Sequence, residues 1–216
     1  MGSKRYNYKP ICNLILMTKI IQRGAEAIIY VRDGKIVKER VSKGYRVAEI
    51  DRKIRKQRTK AEAKLMERAR NSGASVPQVG MEDDFMLVMD NLKGKNVKDA
   101  LNGMGKKERG DVCSRAGKMV ARLHSAGIIH GDLTTSNMIL VGKDVFLIDF
   151  GLGKFSGKAE DQAVDLFLLY EALKSTHFRV LEECWKSVVK AYSGSYPKAK
   201  EVVARIEKIK NRRRYK

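Results

Sequence analysis

The amino-acid sequence predicts an α+β fold in two lobes: a small N-terminal sheet carrying one long helix, then a reduced, mostly helical C-terminal lobe. Three observations lead there. Residues 19–41 read as strands around an Asp33-Gly34 turn, and such a pair suits a tight hairpin because both central positions need positive φ. Beyond residue 93, apolar residues recur at helical spacing in several blocks, each the stripe of a helix facing a core. Among these blocks stand two polar runs, His130 to Asn137 and Ile148 to Gly151, the second preceded by an apolar strand from Val145 to Ile148. With 216 residues, 43% of them hydrophobic, the chain can bury a sizeable core. Residues 1–16 read as an expression scar or upstream extension, with Met17 as an alternative start; 17–92 form the first lobe, and 93–216 the second lobe with a basic tail.

In the first lobe, a strand around Ile20 and Ile21 leads into a loop, Gln22 to Ala27, and then into the hairpin of Ile28–Val31 and Ile36–Val41. On its second strand Ile36, Lys38 and Arg40 share one face, since side chains alternate with period two. A helix is expected from Val47 to Asn71, with Ile50, Ile54, Ala61, Leu65 and Ala69 toward the sheet and Gly73 as its stop. Phe85 to Met89 reads as a buried strand running into Asp90-Asn91-Leu92. The second lobe begins with a short helix, Asn96 to Leu101, and a longer one, Glu108 to Ala126, capped by Gly127. After Gly151 a short segment precedes a helix starting near Asp161, with Ala163, Val164, Phe167 and Leu168 as its expected inner face. Val180 to Tyr192 is a further core helix whose Trp185 reads as packing, and Pro197 suits the first turn of a last helix. Arg212, Arg213 and Arg214 lie beyond the last periodic apolar residue, Ile209, and are expected to be mobile and exposed.

The charge balance narrows the choice of partner. Lys and Arg total 45 against 25 acidic residues, a formal charge of +20, which favours a polyanion and nucleic acid first. Residues 35–70 are especially basic, as is the tail. Cys12, Cys113 and Cys184 are far apart without a Cys-x-x-Cys pair, so they read as reduced thiols of a cytoplasmic protein, with no zinc site. No apolar run reaches the eighteen or so residues of a membrane span.

The two polar runs carry chemistry when taken together. His130, Asp132 and Asn137 fit the spacing of H-R-D-x-x-x-x-N in protein kinases, and Asp149 that of D-F-G. In that pattern Asp132 is the base that takes the proton of the attacking hydroxyl, Asn137 and Asp149 hold Mg²⁺ under the phosphates of ATP, and His130 is structural. The same resemblance assigns Gly24, Ala25 and Glu26 to the phosphate-covering loop, although one glycine alone is a weak loop signal. Lys38 is the candidate to bridge the ATP phosphates, with Lys35 or Lys43 as alternatives. Its partner carboxylate is Glu62, whose small neighbours allow close approach, with Glu49 and Glu67 as rivals. Ile36 would lie beside the adenine, Met89 in the gatekeeper place, and Asp90 to Leu92 would offer backbone contacts. Asp165 occupies the place of the kinase Asp that ties down the catalytic loop. There is no Ala-Pro-Glu and little room for an activation segment.

Longer stretches extend the likeness. Gly-Ala-Glu-Ala-Ile-Ile-Tyr (24–30), Lys-Gly-Tyr-Arg (43–46), Arg58-Thr59 with Glu62-Ala63, His130 to Met138, Ile148 to Gly153 and Glu160 to Leu166 resemble the small atypical kinase subunits of the KEOPS complex, relatives of the RIO kinases. The resemblance implies a two-lobed protein-kinase-like fold binding ATP and Mg²⁺, acting as an ATPase or as a Ser/Thr kinase able to phosphorylate itself. It further implies support of threonylcarbamoyladenosine formation on tRNA, in contact with the transferase subunit and other KEOPS subunits. Arg212, Arg213 and Arg214 would then meet tRNA phosphates, which guanidinium groups suit. Two alternatives stand beside it. A small-molecule phosphotransferase also uses His-Gly-Asp but needs further C-terminal helices around its substrate. A non-catalytic tRNA-binding scaffold would tolerate loss of Lys38, Asp132, Asn137 and Asp149, all present here.

Overall fold

The computed structural model describes the backbone of residues 19–214 and the side chains of residues 19–210; the expected extension 1–16 and Cys12 lie outside them. The first lobe is a five-stranded antiparallel sheet in the order β1-β2-β3-β5-β4. Its strands are β1 (Lys19–Arg23), β2 (Ala27–Arg32), β3 (Lys35–Arg40), β4 (Val79–Met81) and β5 (Met86–Asp90). The hairpin turns at Asp33 and Gly34 with φ of 50° and 74°, the left-handed pair that a two-residue turn requires. Its register sets Lys38 opposite Ile29 on one side and Leu87 on the other.

Helix α1 (Ala48–Asn71) packs on this sheet and ends at Gly73, whose φ of +81° frees the Ala74 N–H to reach back to the Ala69 carbonyl. Its inner face differs from the apolar line expected. Asp51, Thr59, Glu62, Leu65, Met66 and Ala69 are buried, while Ile50 and Ala61 are exposed and Ile54 is half-buried. The helix is rolled so that Glu62 meets two cations of β3; a buried carboxylate must keep such partners, whereas a single isoleucine can stand at the surface.

The second lobe is built around α3 (Lys106–Ser125), reached through β6 (Lys95–Asn96) and the short α2 (Val97–Ala100). Val112, Ala116, Val120 and Leu123 of α3 are buried in the main core. Helix α5 (Leu181–Ser193) lies against it at Gly117, where a Cβ would come within 2.4 Å of the Val188 carbonyl oxygen. Helices α4 (Ala159–Thr176) and α6 (Ala199–Arg214) close the lobe, the latter through buried Val202 and Ile206. On α4, Val164 is exposed, Leu168 is half-buried, and Ala163 and Phe167 face the core as expected. Two polar residues set that orientation: Gln162 donates to the His124 carbonyl and accepts from the Tyr196 hydroxyl, and Asp165 faces the loop beneath. Trp185 packs edge-on to Tyr170.

The tail departs from expectation, because α6 continues through Arg214. No Gly or Pro interrupts 199–214, and Lys and Arg are good helix formers, so nothing stops the helix at Ile209. The side chains of Arg212, Arg213 and Arg214 lie outside the described residues. No described helix is long and apolar enough to cross a membrane.

Gly117 gives a direct test of the packing. Alanine normally favours a helix interior over glycine by about 1 kcal/mol, yet Gly117→Ala should destabilise the chain by about 1–3 kcal/mol, because α3 and α5 must part. Urea unfolding measures it, and a stabilised variant would contradict the close approach.

Candidate active site

The two polar runs meet because of one hairpin. Strands β8 (Met138–Val141) and β9 (Asp144–Leu147) pair Met138 with Leu147, so Asn137 and Asp149 leave from the same end, joined by an Ile148 N–H to Asn137 carbonyl bond of 3.0 Å. Above them hangs the sheet, and between lies a cleft of about 700 Å³, within the range of small-molecule sites. Ile36 and the unanticipated Ile29 and Ile21 form its roof; Met89, Asp90 and Leu92 lie at the hinge; Asp132, Asn137 and Asp149 are on the floor; Lys38 and Glu62 stand at the back. Gly24 and Glu26 line an adjoining cavity of about 200 Å³, which shares Lys38 and Asp149 with the cleft; Ala25 lines neither. The hinge offers less than expected of Asp90, since its N–H already donates to the Gln78 carbonyl and its carboxylate accepts from Lys35 and from the Gln78 N–H.

Lys38 is the strand lysine that the geometry singles out. Its Nζ lies 2.7 Å from Glu62 Oε1 and 2.7 Å from Asp149 Oδ1. Lys35 instead pairs with Asp90 at the surface, and Lys43 donates to the Ala25 carbonyl. Glu49 and Glu67 are exposed. The Glu62 side chain is only 1% exposed, and its second oxygen accepts from Arg40 Nη2 at 2.7 Å. Removing either cation would leave one buried carboxylate oxygen without its partner, a loss of about 1–3 kcal/mol.

Asp149 has φ of 62°, a left-handed conformation that a non-glycine residue adopts at a cost. The turn is held by its own carboxylate, whose Oδ1 accepts from the Gly151 N–H at 3.1 Å. Burial would raise this carboxyl's pKa, but the charge and hydrogen bond of Lys38, with the Gly151 N–H, hold it below the ordinary carboxylate range. On the loop, Asn137 Nδ2 donates to both the Asp132 carbonyl and Asp132 Oδ2, each at 2.9 Å. Gly131 stands where the kinase pattern has Arg. Its φ is +81°, and a Cβ there would lie 2.2 Å from the Leu152 carbonyl oxygen, so only glycine fits.

Asp165 holds the loop from below, accepting the N–H groups of His130 at 2.9 Å and Gly131 at 2.8 Å. His130 Nε2 donates to the Ile148 carbonyl at 3.0 Å, and its Nδ1 faces the Asp132 N–H. That tautomer is neutral, and burial lowers the imidazole pKa accordingly. Sequence reasoning missed the other two histidines. His124 bridges Asp165 and the Tyr192 hydroxyl, while His177 bridges Thr135 of the loop, at 3.0 Å, and Asn102. All three histidines of the chain thus serve one loop. For Asp165, burial would raise the carboxyl, but the hydrogen bond and charge of His124, with the backbone N–H of His130, keep it low.

The geometry agrees with the comparisons with known proteins. The family described as RIO domain matches residues 15–153, a span that takes in the whole sheet lobe, the loop and Asp149. The chain belongs to the RIO domain family. Beyond the matched span the RIO-domain protein adds helices α4 to α6, which supply Asp165, His177 and Tyr192. It is 42% identical over 212 residues to the KEOPS complex subunit Bud32 of Pyrococcus abyssi, covering 92% of this chain and 96% of that one. It is 43% identical over 202 residues to a probable bifunctional tRNA threonylcarbamoyladenosine biosynthesis protein of Methanothermobacter thermautotrophicus, and 39% identical to one from Methanosarcina mazei. The aligned region spans 36% of each of these two proteins. Among solved structures, the streptomycin–ATP ternary complex of APH(2")-IIa superposes with a TM-score of 0.53 at 13% identity, covering 87% of both chains, a likeness of fold.

The buried histidines predict a pH response. Burial lowers the pKa of His130, and burial with the nearby Lys98 charge lowers that of His177. The unfolded chain therefore takes up protons near pH 6.5 that the folded chain refuses, and stability falls as pH drops through about 6.5 and is restored above it. His177→Gln, which cannot titrate, should flatten the profile between about pH 7 and 5. Thermal unfolding across that range checks it, and an unchanged slope would remove His177 from the account.

Proposed function

We propose that this RIO-domain protein is an ATP-dependent phosphotransferase, an atypical kinase that passes the terminal phosphoryl group to a Ser or Thr hydroxyl, its own included, or to water. Its work would be to support threonylcarbamoyladenosine formation on tRNA as a KEOPS-type subunit in contact with the transferase subunit. The observation that carries the reading is convergence: Lys38, Glu62, Asp132, Asn137 and Asp149 line one cleft between the lobes. The names of the relatives, a KEOPS subunit and tRNA threonylcarbamoyladenosine biosynthesis proteins, support its tRNA side.

The mechanism follows from what each group can do. Adenine would lie under Ile29 and Ile36 against the hinge, and Lys38 would meet the phosphates with Glu62 fixing its amine. Asp132 accepts the proton of the attacking hydroxyl. Asn137 holds its Oδ2, so the other carboxylate oxygen takes that proton as the oxygen attacks in line with the leaving group. The donor set fits Mg²⁺: the Asp149 carboxylate is a hard oxygen ligand, and Asn137, whose amide nitrogen is engaged by Asp132, is left with an oxygen to offer. When bound, the ion neutralises charge across the triphosphate.

ATP turnover by the isolated chain, then with tRNA and the transferase subunit added, tests the proposal. Asp132→Ala should cut turnover by about 100-fold or more while ATP affinity holds. Asp149→Ala should instead weaken Mg²⁺-ATP binding. Turnover at the wild-type level in Asp132→Ala would remove the catalytic assignment. The tail needs its own measurement. Deleting 212–216 should weaken tRNA binding and flatten its salt dependence by roughly one log unit per lost phosphate contact. Parallel salt plots of equal affinity would move the tRNA contact to the basic surface of residues 35–70.

A further inference from the structure

The kinase pattern leaves Arg40 without a role. It follows Lys38 by two residues on the same face of β3, and its side chain is 5% exposed. Nη2 is bonded to Glu62. Nη1 lies 3.5 Å from Glu26 Oε2, outside tight contact, and the buried Nε has no hydrogen-bond partner. The guanidinium is therefore anchored at one end and incompletely satisfied at the other.

Among the described residues, Glu26 is the carboxylate that lines the smaller cavity from the loop side. It is ringed by guanidiniums: Arg58 pairs with it, Arg40 stands at 3.5 Å and Arg46 at 3.9 Å. Arg40 is shared with Glu62 and Arg46 with Asp51, so Glu26 is one of several anions that hold these cations beside the cleft. The cavity between them, about 200 Å³, has Lys38, Arg40, Asp149 and Gly151 as further walls. That is room for a phosphoryl group and too little for a nucleoside. Gly151 keeps it open, since a Cβ there would lie 3.0 Å from Asp149 Oδ1, 3.3 Å from Lys38 Nζ and 3.5 Å from Arg40 Nη2.

We propose that Arg40 is a specificity residue for the terminal phosphate of a nucleoside triphosphate, and that Glu26 is the internal anion this phosphate displaces. The proposal rests on the nucleotide-binding reading above and assigns it a tri- over diphosphate preference. Glu62 stays bonded to Arg40 Nη2 and to Lys38 during the exchange, so no buried carboxylate is stranded. The free side of the guanidinium gains a phosphate oxygen, which it binds more strongly than a distant carboxylate because fork geometry and charge both match. Glu26, on an exposed loop, moves out toward Arg58 and Arg46, which retain it.

Calorimetric titration of the full chain with a non-hydrolysable ATP analogue and with ADP, each with Mg²⁺, tests this. Arg40→Met should lower triphosphate affinity by about tenfold more than it lowers ADP affinity. Arg40→Lys, keeping charge without the fork, should fall between. Glu26→Gln, which keeps every cation, should raise triphosphate over ADP affinity by about threefold or more, and it decides the matter if Arg40→Met does not fold. Equal losses for both nucleotides in Arg40→Met would make Arg40 a brace for Glu62 alone and overturn the proposal, as would an unchanged ratio in Glu26→Gln. A wild-type chain that binds neither nucleotide would instead overturn the nucleotide reading, and this proposal with it.

Discussion

The burial of Glu62 is the constraint on which the first lobe depends. A carboxylate removed from water is destabilising by several kcal/mol unless cations and hydrogen bonds replace its hydration. Here Lys38 takes one oxygen and Arg40 the other, so the helix and the central strand are joined by a bidentate charge contact as well as by apolar packing. The same contact selects which stripe of α1 is buried, and it aims Lys38 at Asp149 across the cleft. A structural ion pair and the arrangement of the site are therefore one feature.

Asp165 plays the corresponding part in the second lobe. Two successive backbone N–H groups of the loop end on its carboxylate, an arrangement that favours the ionised form and fixes the loop's path. His124 then ties that carboxylate to Tyr192 of α5, and His177 ties Thr135 to Asn102. The loop is held by helices that come both before and after it in the chain, which is why a reduced lobe can still position it.

Local signals were legible in the sequence, and reciprocal ones were not. The Asp33-Gly34 turn and the Gly73 stop follow from short-range geometry, and the kinase-like spacing marked Asp132, Asn137 and Asp149, which line one cleft, and His130, which is buried. Glu62 stood out from Glu49 and Glu67 through its small neighbours, a local clue to close approach. What periodicity could not show was the roll of α1 and α4, because polar partners turned inward in both helices and an apolar count treats those as surface. His124 and His177 lacked any local mark, and Arg40 had only its place on the Lys38 face, since their partners lie far along the chain or on another element. The helix through Arg212 to Arg214 was not anticipated, because no apolar residue after Ile209 marks a buried face and a mobile end was expected there.

Gly131 has a bearing on regulation. Protein kinases commonly order the segment after D-F-G through a phosphate gripped by arginine. In this chain the glycine brings the loop's backbone against the Leu152 carbonyl, and β10 (Lys154–Phe155) pairs with β7 (Ile128–Ile129) just beyond. The segment after Asp149 is thus ordered by backbone contact, where the kinase pattern uses a phosphate and an arginine.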